Sequence, residues 1–199
     1  MYSFVQRNAA AGNAVTLASV GAGHAVVVFS AAYGAAFPTC TVSDGTNTLI
    51  KTPFSPSKSL NSPSRAWCIA YITNESAGSK TFTVTWGGFG ITTRATFAHE
   101  YAYTGTPAFD AEVYFSAASS ATPITMPSLT PVRAGQLLIF AASPTGSITA
   151  ANSPWTAGGA SAVGMIDGYI ASSSAGVTAA NFTDTTNPDE WYSFIVAFK

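Results

Sequence analysis

Val20-Gly21-Ala22-Gly23-His24-Ala25-Val26-Val27-Val28 recurs, in altered letters, as Val132-Arg133-Ala134-Gly135-Gln136-Leu137-Leu138-Ile139-Phe140. Each stretch reads V-x-A-G, one polar residue, then an unbroken apolar run. The A-G pair suits a tight turn, where glycine adopts positive φ without steric cost. The run that follows is short, lacks a 3.6-residue period and is bounded by glycine, which fits a central strand buried on both faces. The correspondence extends outward. Tyr71-Ile72 and Ala77-Gly78 match Tyr169-Ile170 and Ala175-Gly176 with the same internal spacing. A Thr-rich segment follows each, ending at Trp86 in one half and Phe182 in the other. Each half then closes on an aromatic strand, at 97–103 and 191–198. The sequence is therefore an internal repeat, roughly 14–105 and 124–199. No charged linker separates the halves, and each would expose an apolar face alone. A single domain over 1–199 is expected, with the halves sharing one core.

Around these anchors, β-branched and aromatic runs alternate with Gly, Pro, Asn, Asp and Ser every 8–12 residues or so, the rhythm of a sandwich or barrel. Strands are expected near 2–7, 14–19, 24–32, 39–43, 47–51, 65–73, 80–86, 94–103, 111–116, 124–130, 136–142, 163–171, 176–182 and 191–198. Asp44-Gly45 marks a turn between two of them. The stretch 53–63 carries Pro53, Pro56 and Pro63 among serines, so it is expected to be a loop, since proline cannot donate to a ladder. The predicted class is all-β, an antiparallel sandwich of jelly-roll-like form.

Composition narrows the function classes. Hydrophobic residues make up 47% of the chain and aromatics 13%, enough for a core, while only 9% are charged against roughly 25% in an ordinary domain. Disorder is thereby disfavoured. The net charge is −1, and the eight Lys and Arg are scattered, so the basic stripe of a nucleic-acid binder is missing. No apolar run approaches the ~18 residues of a membrane-spanning helix, so membrane insertion is not expected. A near-neutral surface does little to keep copies apart, which favours self-association. The opening residues lack a basic segment followed by an apolar one. That suits either a leader removed ahead of Met1 or a virion protein released by lysis.

The stretches GNAVTLASVGAGHAVVV (12–28), TCTVSDGTNTL (39–49), SAGSKTFTVTW (76–86), AHEYAYTG (98–105), FDAEV (109–113) and IVAFK (195–199) stand in this order. Together they resemble a β-sandwich module of bacterial secreted and surface proteins and of phage structural proteins. The resemblance covers most of the chain and rests on strand and turn patterns. It implies the fold and an extracellular, cell-surface or virion-exterior location, and it carries no catalytic residues. The Ser/Pro loop at 53–63 and the cysteine pair depart from it.

Several residue groups bear on chemistry. Cys40 and Cys68 belong to no CxxC or Cys/His cluster, which excludes zinc. They are either two buried thiols or one disulfide between neighbouring strands. His99-Glu100 is the best acid–base dipeptide, but adjacent strand residues point to opposite faces, so the two cannot act together. Glu100 with Glu112, or Asp110 with Glu112, would serve a glycosidase only at a suitable separation, and no G-x-S-x-G elbow is present. Asp184, Asn187 and Asp189 put oxygen ligands in one loop that would suit calcium, although Asp, Asn and Pro also make ordinary turns. No other cofactor is indicated. Trp155, assisted by Tyr33, could be a sugar-stacking platform or a cap on the sandwich core. The sequons at Asn74 and Asn181 matter only in a eukaryotic secretory pathway. The function expected is a non-enzymatic exterior structural module binding copies of itself or a larger assembly, such as a phage capsid-decoration or fibre protein or a surface filament subunit. The alternative is a carbohydrate-binding or adhesin module that recognises polysaccharide.

Overall fold

The computed structural model describes residues 1–34, 39–58, 65–88, 90, 92–117, 124–125, 128–129, 133–144, 148–151, 154–160, 165–171, 173–174, 181–184 and 191–199. Among these residues there are only strands and turns, so the all-β class holds. The chain divides into two compact units, residues 3–103 and residues 1–2 with 104–199.

The first unit runs β1 (Tyr2–Ala11), β2 (Ala14–Val20), β3 (His24–Tyr33), β4 (Thr39–Ser43), β5 (Ile50–Lys51), β6 (Ser57–Lys58), β7 (Arg65–Glu75), β8 (Gly78–Gly87) and β9 (Thr92–Tyr103). Its larger sheet has the order β1-β9-β3-β7-β5, with β6 also on β7, and its smaller sheet the order β2-β8-β4. The two sheets face each other across Val15 and Leu17 from β2, Val26 and Val28 from β3, Phe82 and Val84 from β8, and Ala98 from β9, all buried. Alternation places these residues on the inner faces. Strand β3 is buried along nearly its whole length, as its unbroken apolar run requires.

The second unit runs β10 (Phe109–Ala117), β11 (Ile124–Thr125), β12 (Leu137–Pro144), β13 (Ile148–Ala151), β14 (Thr156–Ala160), β15 (Ile166–Ile170), β16 (Asn181–Asp184) and β17 (Trp191–Phe198). Its sheets are ordered β10-β17-β12-β15-β14 and β11-β16-β13. If the short β6 is set aside, both units order their strands first-eighth-third-sixth-fifth and second-seventh-fourth. This is jelly-roll connectivity, with the fifth strand carried on the edge of the larger sheet. Leu138, Phe140, Ile166, Ile195 and Ala197 form the buried cluster of this unit with Leu129 and Trp155.

The repeat is structural. Val28 lies between Ala70 and Ala98 in the first unit, and Phe140 lies between Gly168 and Ile195 in the second. The turns agree to the hydrogen bond. Gly23 N donates to Glu75 O at 2.8 Å and Gly135 N to Ser173 O at 2.7 Å, with both glycines at positive φ. The repeated unit also begins earlier than its sequence signal. Strands β1 and β10 occupy matching sheet edges, although neither lies within 14–105 or 124–199.

Three expectations need correction. The loop at 53–63 contains β6, which pairs Ser57 with Trp67 and Lys58 with Ala66. The strand at 47–51 shortens to Ile50–Lys51, because Asp44 gathers the turn before it. Strands β13 and β14 fall outside the strands expected from sequence. Their sequences, ITAA and TAGGA, consist mainly of small residues with little β preference.

Candidate functional site

The V-x-A-G turn sets up the same corner in both units, where a polar residue enters the central strand beside a carboxylate. In the first unit that carboxylate is Glu100, fully buried on β9. Its Oε1 accepts from Gly21 N at 2.7 Å and lies 2.6 Å from His24 Nδ1. Its Oε2 accepts from Gln6 Nε2 at 2.5 Å. Three partners from three places in the chain offset the cost of taking the group out of water. The His24 ring folds over the turn so closely that a Cβ on Gly21 would lie 2.4 Å from it. Glycine is required there for space rather than for φ.

In the second unit the matching polar residue is Gln136, also buried. Its Nε2 donates to Asp110 Oδ2, and its Oε1 accepts from Arg133 N at 3.4 Å. Asp110 Oδ1 lies 2.8 Å from Lys199 Nζ. The Lys199 hydrogen bond, helped by Gln136 and by the charges of Lys199 and Arg133, outweighs desolvation and holds the Asp110 carboxyl below the usual range. Arg133 stands where the first unit has Gly21. Its side chain is exposed. The corner opens into a cleft of about 540 Å³ lined by Thr106, Ala108, Arg133, Gly135, Gln136 and Lys199, among others.

No family model, curated protein or solved structure matches the chain. The site must therefore be read from its own residues.

The residues singled out in the sequence are placed as follows. Cys40 and Cys68 are joined, with Cα atoms 6.2 Å apart. The bond crosses from β4 in the smaller sheet to β7 in the larger one, so it links the two layers and not neighbouring strands. His99 and Glu100 diverge as alternation demands. His99 Nδ1 meets Tyr101 Oη at 2.8 Å, and its ring lies against Phe29, while Glu100 turns to His24. Glu100 and Glu112 belong to different units. Asp110 is held in its ionised form, the opposite of what a proton-donating carboxyl needs.

The sugar platform requires correction. Trp155 is 6% exposed and packs edge-on to Phe140 with centroids 4.8 Å apart, so it caps the core and offers no face for stacking. Tyr33 is half-buried, with the Arg65 guanidinium 5.1 Å from its ring centroid, and it lies in the other unit. Of the calcium candidates, Asp184 ends β16, while Asn187 and Asp189 lie outside the described residues. Among the described residues no three His, Cys, Asp or Glu side chains gather as a metal site.

The residues that sequence reasoning missed are Gln6, His24, Arg133, Gln136 and Lys199. A polar residue after A-G is visible in both halves, but nothing local reveals which carboxylate it meets.

Proposed function

We propose that the chain is a non-enzymatic structural module that associates with copies of itself or decorates a larger assembly on the exterior of a cell or virion. The observation that carries this reading is the duplicated jelly roll. One chain presents the same eight-strand unit twice, so a contact made by one unit has a counterpart available on the other. Jelly rolls build capsid shells as well as lectins, which supports the reading by analogy of fold alone.

The chemistry of four described carboxylates points the same way. Glu100 and Asp110 hold the repeated corners, Asp44 closes a turn on Thr46 and Asn47, and Glu75 accepts from Ser76 N and Lys80. Each is engaged in holding a turn or strand end. With 9% charged residues, contacts between copies would rest on Ala, Thr, Ser and aromatic surface. Such contacts bury area in a salt-insensitive way.

The test is light scattering after size exclusion over a range of protein concentrations, in about 0.1 M and 1 M NaCl. A multimer, or a particle-bound form, that persists at high salt is expected. A monomer at every concentration, with no binding to its parent particle or cell surface, would overturn the reading.

A further inference from the structure

The two repeated corners have diverged at four matched positions, and three of the changes act on one cleft. Register makes Glu100 equivalent to Ala197, because each pairs with the residue two places into the apolar run, Val26 and Leu138. Ala102 therefore matches Lys199. The alignment of the turns makes Gly21 match Arg133 and His24 match Gln136. In the first unit the set Gly21, His24 and Ala102 yields a closed corner, since the imidazole lies over the glycine and takes the buried carboxylate. In the second unit the set Arg133, Gln136 and Lys199 leaves the turn uncovered and puts two cationic side chains at a cleft.

Scaffolding does not require this change. Gln136 satisfies Asp110 on one oxygen and Lys199 does so on the other, so neither carboxylate oxygen depends on a hydrogen bond from the Arg133 guanidinium. Among the described residues the Arg133 guanidinium has no ion-pair partner, and the side chain is exposed. The Lys199 side chain is 41% exposed, so its ammonium can face both Asp110 and a guest. The side chains of Arg133, Lys199 and the adjoining Asp110 sum to one net positive charge, which suits a singly charged anion better than a dianion. A volume of about 540 Å³ falls in the range of small-molecule sites. The remaining lining is Met1, Thr106, Ala108, Ala134, Gly135 and the Gln136 amide, with no aromatic ring among them.

From this we infer that the cleft of the second jelly roll binds a small molecule of monosaccharide size through one carboxylate group, with Arg133 as the principal contact and Lys199 as the second cation. Arginine is the residue suited to the task, because its planar fork matches a carboxylate with two parallel hydrogen bonds. The inference is independent of the assembly reading, since a ligand could occupy the cleft of a monomer or of a multimer.

Calorimetric titration of the whole chain with D-glucuronate, with D-glucose as its neutral counterpart and acetate as the bare carboxylate, tests it. Saturable glucuronate binding is expected, weaker binding of acetate, and none of glucose. Arg133→Ala should weaken glucuronate binding at least about tenfold, the loss of one charge-assisted pair. Arg133→Lys should keep part of the affinity, and it covers the case in which the alanine variant disturbs the turn. Absence of saturable glucuronate binding, equal binding of glucose, or unchanged affinity in a folded Arg133→Ala variant would each overturn the inference.

Discussion

Glu100 shows how much one side chain can tie together. It is fully buried, yet it collects a backbone N–H from the turn, an imidazole from the head of β3 and an amide from β1. Glu100→Ala would remove the acceptor and leave these donors without partners inside the protein. The expected cost is about 3–5 kcal/mol, read as a shift in the urea midpoint. Glu100→Gln keeps one carbonyl oxygen and should fall between the alanine variant and the native protein. A Glu100→Ala protein within about 1 kcal/mol of native would show that the corner is held by backbone pairing alone. His24 and Gln136 are different answers to the same local need, a polar group that reaches a carboxylate from the first residue after the turn.

At the scale of elements, the first unit has a covalent tie that the second does not match, because Ile166 stands at the register position of Cys68. The Cys40–Cys68 bond joins β4 to β7 across the sandwich, its cysteines 28 positions apart in the chain. In the chain-entropy account, closing a loop of that length removes about 3.5 kcal/mol worth of unfolded-state freedom. The Cys40→Ala, Cys68→Ala double variant should lose stability of that order by denaturant titration, with its β-type far-UV spectrum kept. A loss below about 1 kcal/mol would mean that the reduced chain is already constrained. The same scale explains the unexpected strands. β13 and β14 pair with β16 and β15, so their small residues are recruited by a neighbour's free edge and not by their own preference.

For the molecule as a whole, the carboxylates set the response to acid. Asp110 is held below its ordinary value chiefly by the Lys199 hydrogen bond. At Asp44 burial opposes ionisation, but the backbone N–H groups of Asn47 and Thr46 and the Asn47 amide outweigh it. A carboxyl depressed in the native state contributes stability that is complete above its unfolded value, about pH 4, and is lost as pH falls through the lowered native value. One such group lies in each unit, so acid should weaken both. Urea titrations at about pH 7, 5 and 3 should show stability nearly level between the first two and falling at the third. Asp44→Asn and Asp110→Asn should each flatten part of that fall. If neither does, the acid response originates in other groups.

The sequence by itself determined the all-β class, the repeat and the identity of the central strands. These depend on the order of apolar residues and glycines within a dozen positions, which local sterics and burial convert directly into strand and turn. The matching turns at Gly23 and Gly135 were legible for the same reason. Only the tertiary structure decided what meets what. His24 and Glu100 are 76 residues apart, and Gln136 and Asp110 are 26 apart; jelly-roll connectivity brings each pair together. Cys40 and Cys68 share a bond because β4 and β7 occupy opposing layers, a relation that spacing along the chain does not encode. Trp155 lies inside because Phe140 offers an apolar face to receive it. A loop aromatic reads the same in sequence whether its ring points to water or to the core, and burial of its apolar area decides the matter only once the sheet beneath it has formed.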